Sequence, residues 1–403
     1  MGDSLKAASG KELHVLYVHG IGSDGPGDYD SWGLRRGICE FVKDCTSRAG
    51  ELDGRKAYAD DDEFRPDAPV PDLEYLGQKV WGSRQEWSAA APFVVHWKIS
   101  RTRGATIYID EINWWPLVFA LKCRQIVASE AALVGPSADR IKACSTLKPD
   151  PAAPGRFISY NWISAQDAAR LLQHPPKGAL VNRKLKNGIL DWGFSDAVLA
   201  LGPLRTYLLD GIRELILKSV AISPDGSRGG PDALRQNQEY VIVSHSLGSY
   251  LIFAALDITP STPKTPTVQK SGDEFEQILA RTSLVYFFAN QLRLLELADL
   301  NGAADKNMAT HLDAWGKLRC DYLKSLPGAT QTCVRPQIVA LNDPSDLLTW
   351  TVPDIATVEV HNLVVKNARH WFWLIESPTK AHDNYAKNKH AIGQMLKLTG
   401  PLM

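Results

Sequence analysis

Ser246 is the centre of Ser244-His-Ser-Leu-Gly248. Four residues fit for a buried strand, Tyr240–Val243, lead into it, and an apolar helical run, Tyr250–Leu256, leads out. Strand, tight turn of small residues, then helix is the setting that a G-x-S-x-G nucleophile needs. The reason is steric. A serine at the tip of so sharp a turn carries its hydroxyl clear of the sheet, and its neighbours must be small for strand and helix to approach. Ser244 stands where the first glycine would be, and Gly248 supplies the second. A hydroxyl so placed attacks a carbonyl carbon once a base takes its proton. An ordinary strand-to-helix turn has the same outline, so the partners decide. Downstream lie two carboxylates, Asp343 and Asp346, in Leu341-Asn-Asp-Pro-Ser-Asp-Leu-Leu348, and the histidines His361, His370, His382 and His390. Upstream, the β-rich run His14–Val18 ends in His19-Gly-Ile-Gly22.

These motifs resemble the α/β-hydrolase superfamily, and within it the serine esterases and lipases. The resemblance rests on H-G at His19-Gly20, S-x-S-x-G at Ser244–Gly248, D-P-S-D at Asp343–Asp346 and A-H-x-x-Y at Ala381–Tyr385, in that order. It implies an α/β fold: a mostly parallel twisted sheet with helices on both faces, in a single domain over residues 1–403. It implies the chain order Ser, acid, His, with Ser246 as nucleophile and His382 as base. Asp346 is the expected acid, because an apolar pair follows it as in the superfamily's acid loop. Asp343 is the alternative acid, and a third reading has both aspartates capping a helix from Leu347. His361 falls inside a strand, His370 sits among Trp371, Phe372 and Trp373 as a packed ring would, and His390 fits a solvated helix face. The oxyanion donors carried over are the backbone N–H groups of Leu247 and of Ile21, with Gly22 as the alternative to Ile21. The implied activity is hydrolysis of carboxylic esters, lipid or acyl, through an acyl-enzyme, with no metal and no organic cofactor.

The first loop also spells another motif. Gly20-Ile-Gly-Ser-Asp-Gly25 matches G-x-G-x-x-G. A dinucleotide site needs a helix to begin at once, with its N-terminus on the pyrophosphate. Gly25-Pro-Gly-Asp28 follows instead, and a helix is expected only from about Ser31.

Composition bounds the rest. The chain has 403 residues, 44% of them hydrophobic, enough for a large core. Lys+Arg and Asp+Glu are 45 each, so no overall basic field points to nucleic acid. The contiguous Asp60–Glu63 run suits a solvated loop better than a metal site. Six cysteines are scattered without a C-x-x-C pair, which predicts reduced thiols and a cytoplasmic protein. The opening MGDSLKAASGKEL has no apolar core, so no signal peptide is expected, and Lys6 breaks the myristoylation pattern. The apolar run Ile112–Leu121 is too short to span a bilayer.

The positioning elements follow. Strands are expected at His14–Val18, Phe93–Trp97, Thr106–Ile109, Tyr240–Val243, Thr282–Phe288, Pro336–Leu341 and Val358–Val365. Helices are expected over 31–48, 165–172, 196–220 with a break near Gly202-Pro203, and through 391–396. The interval from His19 to Ser246 is far longer than a minimal member of the superfamily needs. It implies an insertion over roughly residues 50–190 that covers the active site. Within it, Asn113-Trp-Trp-Pro-Leu-Val-Phe-Ala-Leu121 is rich in aromatic and apolar groups. Trp114 and Trp115 are read either as core packing or as a wall for the acyl chain that also touches a membrane surface. Three other readings share this motif set: a hydrolase of a different acyl substrate such as a thioester or amide, a membrane-surface phospholipase or lipase effector, and a non-catalytic ligand-sensing protein on a hydrolase fold. The expected partners are a small-molecule or lipid ester and, peripherally, a membrane. Nothing in the sequence marks an oligomeric state.

Overall fold

A computed structural model describes residues 12–20, 31–43, 45, 56–57, 92–99, 101, 105–127, 138–145, 147–149, 157–159, 162–173, 193–202, 204–221, 239–255, 275–296, 308–328, 333–367 and 378–399. Eight strands form one sheet. In chain order they are β1 (Glu12–Val18), β2 (Lys56–Ala57), β3 (Phe93–Ile99), β4 (Thr106–Asn113), β7 (Tyr240–His245), β8 (Thr282–Phe288), β9 (Gln337–Asn342) and β10 (Glu359–Val364). Two short strands, β5 (Leu147–Pro149) and β6 (Phe157–Ser159), pair separately. Across the main sheet the order is β10-β9-β8-β7-β1-β4-β3-β2. From β10 to β4 every neighbouring pair is parallel, while β3 and β2 complete the far edge in antiparallel register. The sheet is therefore mostly parallel, within an α/β architecture.

The sequence explains the ranking of strands. A parallel strand covered on both faces reads as a continuous apolar run. Tyr240–Val243 in β7 and Leu284–Phe288 in β8 are such runs, and both are buried throughout. β10 lies at the edge, and its residues are half-buried or exposed.

Helices cover both faces. On one side α1 (Trp32–Val42) and α11 (Lys389–Thr399) pack over Leu13, Val15, Tyr17, Val241 and Tyr286. On the other lie α2 (Trp115–Lys122), α3 (Ala138–Ser145), α4 (Ala165–Gln173), α5 (Ser195–Leu201), α6 (Arg205–Ala221), α7 (Leu247–Ala254), α8 (Leu292–Glu296) and α9 (Met308–Ser325), around a core that includes Phe253, Phe287 and Trp315. A last short helix, α10 (Pro378–Asp383), precedes α11. Among the described residues no helix is long and apolar enough to cross a membrane.

Three expectations need correction. The first helix ends at Val42, not near residue 48, because Lys43 turns left-handed at φ 60° and its N–H closes on Cys39 O. The stretch expected as an insertion, roughly 50–190, includes β2, β3 and β4, which belong to the central sheet. The cysteines are not free thiols. Cys39–Cys45, Cys123–Cys144 and Cys320–Cys333 are disulfides with Cα–Cα distances of 5.5, 5.6 and 5.2 Å, which uses all six.

Two of the covalent and ionic ties hold the segment that follows β4. Cys123–Cys144 joins the end of α2 to α3 across 21 positions. Lys122 and Asp196 form an ion pair between α2 and α5, with side chains only 3% and 2% exposed. Such a pair is strongly destabilising when only one partner is removed. A disulfide closing a loop of this size adds about 3 kcal/mol by restricting the unfolded chain. Replacing Cys123 and Cys144 together by alanine should lower unfolding free energy by about that amount in a urea titration. Unreduced, urea-unfolded protein should take up no maleimide at any of the six positions. Stoichiometric labelling there would show that the pairs do not form.

Candidate active site

After β1 the chain passes to the edge strand β2 and returns through β3 to β4 beside β1; it then crosses to β7 on the other side of β1 and runs outward to β10. Open parallel sheets bind ligands at the carboxyl ends of the strands where the strand order reverses. Here the point of reversal lies between β1 and β7, and the residues that follow them are His19-Gly20 and Ser246.

Ser246 links β7 to α7 with φ 54° and ψ −124°. A non-glycine residue there is strained, and it persists only where its surroundings hold it. Its N–H donates to Phe288 O at 2.8 Å, and Ser249 donates to its carbonyl through Oγ at 2.6 Å and through N–H at 3.1 Å. The small neighbours are required. A Cβ on Gly248 would lie 2.5 Å from the Val18 carbonyl oxygen, and one on Gly20 would lie 2.6 Å from the Ser246 Cβ. Ser244 stands in β7 in place of the first glycine and is fully buried.

The histidine comes after β10, at the edge of the sheet opposite β2. His382 sits in α10, and its Nε2 is 2.9 Å from Ser246 Oγ. Its Nδ1 is 3.0 and 3.1 Å from the two carboxylate oxygens of Asp346. With Nδ1–H donating to the carboxylate, Nε2 carries the lone pair that faces the serine hydroxyl. Asp346 also accepts from Leu348 N–H at 2.9 Å and Tyr385 O–H at 3.1 Å.

Asp343 does different work. It accepts from Ser345 N–H at 2.8 Å and Asn367 N–H at 2.5 Å, while its own N–H donates to the Tyr385 hydroxyl at 2.7 Å. It joins the loop after β9 to the loop after β10 and does not touch His382. No helix begins at Leu347, where the chain makes a turn, so the capping reading of the two aspartates does not hold. The Tyr385 phenol is pushed upward, first by burial and then by the Asp346 charge, which keeps it protonated as a donor.

The remaining predicted residues are placed as follows. Leu247 opens α7, so its N–H is among those without an intrahelical acceptor. Ile21, Gly22 and His370 lie outside the described residues. His361 is in β10 beside Glu359, with Nε2 to Oε1 at 3.2 Å, and His390 is exposed on α11. Trp114 and Trp115 are both core residues. Trp114 stacks on the His19 ring with centroids 4.9 Å apart and donates through Nε1 to His19 O at 3.1 Å. It therefore clamps the H-G turn from below.

No family model, curated protein or solved structure matches the chain.

Two members had not been singled out in the sequence. Gln291 follows β8 and donates its side-chain amide to Ser246 Oγ at 2.7 Å. His245 lies 5.1 Å from His382, ring to ring, and its Nε2 hydrogen-bonds the His382 carbonyl at 2.9 Å. His245 is next to the serine in the motif, which is the one local signal it carries. Gln291 carries none, because only the pairing of β7 with β8 brings it to Ser246.

Near β4 a further buried group steadies the entry to α1. Glu111 accepts from Ser31 Oγ at 2.5 Å and Trp97 Nε1 at 3.0 Å. Burial raises its carboxyl above the usual range, partly offset by Ser31 and Arg35.

The histidines make the site sensitive to acid. Burial pulls His19 down to about 4, with a smaller push from Lys122. Burial, and then the nearby His382, pulls His245 to about 4. The ordinary value is about 6.5. Between those values the unfolded chain binds protons that the folded one refuses, so stability falls as pH drops through the window. We expect the urea midpoint to be steady above about pH 6.5 and to decline down to about pH 4. His245→Asn should flatten that decline. An identical slope in the variant would show that His245 titrates normally in the folded protein.

Proposed function

We propose that the protein is a serine hydrolase that cleaves carboxylic esters, of lipids or other acyl compounds, through an acyl-enzyme. The carrying observation is the unbroken hydrogen-bond chain from Ser246 Oγ through His382 to Asp346, at 2.9 and 3.0 Å. In this reading His382 Nε2 takes the Ser246 proton as Oγ bonds to the ester carbonyl carbon. Asp346 holds the ring in the required tautomer and stabilises the imidazolium. The carbonyl π electrons move onto oxygen, where the Leu247 N–H is one donor; the sequence resemblance assigns the second to Ile21. Collapse expels the alcohol, which receives its proton from His382, and water repeats the cycle on the acyl group.

The fold reading goes one step finer as well. The serine follows β7, the acid follows β9 and the histidine follows β10, all on the carboxyl-end side of a mostly parallel sheet. That placement supports an α/β-hydrolase fold. The three disulfides support an oxidising compartment in place of the cytoplasm that scattered cysteines suggested.

The test is covalent. A fluorophosphonate should modify Ser246 alone, and Ser246→Ala should lose both the adduct and p-nitrophenyl ester hydrolysis. An adduct mapped to Ser244 or Ser249 would overturn the assignment. Asp346→Asn should fold normally and lose up to ~10⁴ in turnover, because the amide loses the charge and favours the wrong tautomer. Asp343→Asn should stay within about tenfold, or about 1.4 kcal/mol of barrier. Reversal of those two phenotypes would make Asp343 the acid.

A further inference from the structure

We infer that Gln291 is a further catalytic residue: its side-chain amide is a fixed donor to the charge that develops at Ser246. The inference rests on the serine-hydrolase reading and adds a group to it.

The serine hydroxyl has one proton and two lone pairs. The proton faces His382 Nε2 at 2.9 Å, and the Gln291 amide occupies one lone pair at 2.7 Å. The other lone pair is left to attack. As His382 removes the proton, negative charge grows on Oγ, and the hydrogen bond from Gln291 strengthens with it. When the Oγ–C bond forms, the carbonyl π pair moves to the substrate oxygen, one atom beyond the new bond. Gln291 carries a second N–H, so the same amide can serve Oγ before attack and the oxyanion after it. When the C–O bond to the alcohol breaks, the π bond re-forms, the His382 proton passes to the leaving oxygen, and the amide returns to its first partner. The amide gains and loses no proton in the cycle.

A donor stabilises a transition state to the extent that it is already in place. Gln291 is. It is 2% exposed, on a loop fixed from three sides. Phe288 O accepts the Ser246 N–H at 2.8 Å, tying the end of β8 to the serine itself. Ala289 then turns at φ 53°. Asn290 O accepts Trp350 N–H at 3.2 Å, the Asn290 side-chain amide donates to Trp350 O, and its Oδ1 accepts Leu292 N–H at 3.3 Å. Gln291 O in turn accepts Leu295 N–H at 3.1 Å, which begins α8. So tightly held a loop, presenting a buried neutral donor to one hydroxyl, is organised around that hydroxyl.

The experiment uses Gln291→Met, which keeps the length and removes the donor, and Gln291→Ala as the second variant. Fluorophosphonate labelling forms the Oγ–P bond, expels fluoride and passes the Oγ proton to His382, so its rate reads the same step without an ester. Both variants should label more slowly by about 10²-fold and lose kcat by about 10²–10³, the usual cost of one such donor. The final extent of labelling should remain one per chain. KM for a p-nitrophenyl ester should stay within about threefold, and the acid limb of the pH–rate profile should not move, since an amide does not titrate. A structural role would instead reduce the labelled fraction and leave the rate of the rest intact, and that result overturns the proposal. So does wild-type behaviour in both variants, or faster labelling, which would make Gln291 a block over the serine. Failure of the wild-type chain to label at Ser246 overturns the serine-hydrolase reading itself, and the role of Gln291 falls with it.

Discussion

The site depends on a gap with no room for a Cβ. The ends of β1, β7 and β8 meet around Ser246, and the meeting works only because Gly248 lies against the Val18 carbonyl and Gly20 against the Ser246 Cβ. That approach forces the backbone of Ser246 to a positive φ, which the Phe288 carbonyl and the Ser249 hydroxyl then hold. The strain costs on the order of 1–3 kcal/mol. It is offset by the packing of the buried parallel strands on either side. The same constraint sets the position of Leu247 N–H, since the helix must start one residue after the turn. It also sets Gln291, since the strand that supplies the Phe288 carbonyl delivers that side chain three residues later.

The other half of the site is built from the loop after β9 and the short helix α10, and it is steadied differently. No strand carries His382 or Asp346. The loops after β9 and β10 are tied by Asp343 to Asn367 N–H and by the Tyr385 hydroxyl, which donates to Asp346 and accepts from Asp343 N–H. Asn367 also donates to Ala381 O, beside His382, and His245 bonds the His382 carbonyl. The histidine therefore has its ring fixed by a carboxylate and its backbone fixed from both the loop and the serine strand. A neutral phenol between two aspartates is an economical way to do this. It can donate and accept at once, and burial prevents it from ionising beside them.

Much of this was legible in the sequence. Ser246 is readable because a nucleophile turn imposes its own neighbours, and those neighbours are contiguous. Asp346 and His382 are readable only through their order in the chain and the small motifs around them; which of Asp343 and Asp346 faces the imidazole is a matter of the fold, and it is Asp346 whose carboxylate bonds His382 Nδ1. Most strands and the break after Leu201 follow from apolar runs and glycine chemistry. What stayed hidden is what depends on pairing across the sheet. Gln291 sits in an unremarkable Asn-Gln-Leu stretch, and it acquires a role only when β8 lies beside β7. The cysteines are separated by 6, 21 and 13 positions with no shared pattern, so their pairing is a property of the fold, not of the spacing. The sequence marks β3 and β4 as strands but not as members of the central sheet, because local periodicity says nothing about which sheet a strand joins.

The three histidines around the serine show how burial itself is part of the chemistry. In the proposed reaction His382 becomes a cation, and its ring lies 5.1 Å from that of His245. Two unit charges at that distance would repel by about 3 kcal/mol at an effective dielectric of about 20. That is comparable to the loss of an oxyanion donor, so a charged His245 would cancel a large part of what the site supplies. Burial removes the conflict by holding His245, and likewise His19, well below neutral pH. The desolvation that costs stability in acid thus keeps His19 and His245 neutral beside His382, whose Nδ1 bonds the Asp346 carboxylate. Removing the burial, for instance by opening the H-G turn that Trp114 clamps, would bring the competing charge back without touching any member of the Ser246–His382–Asp346 chain.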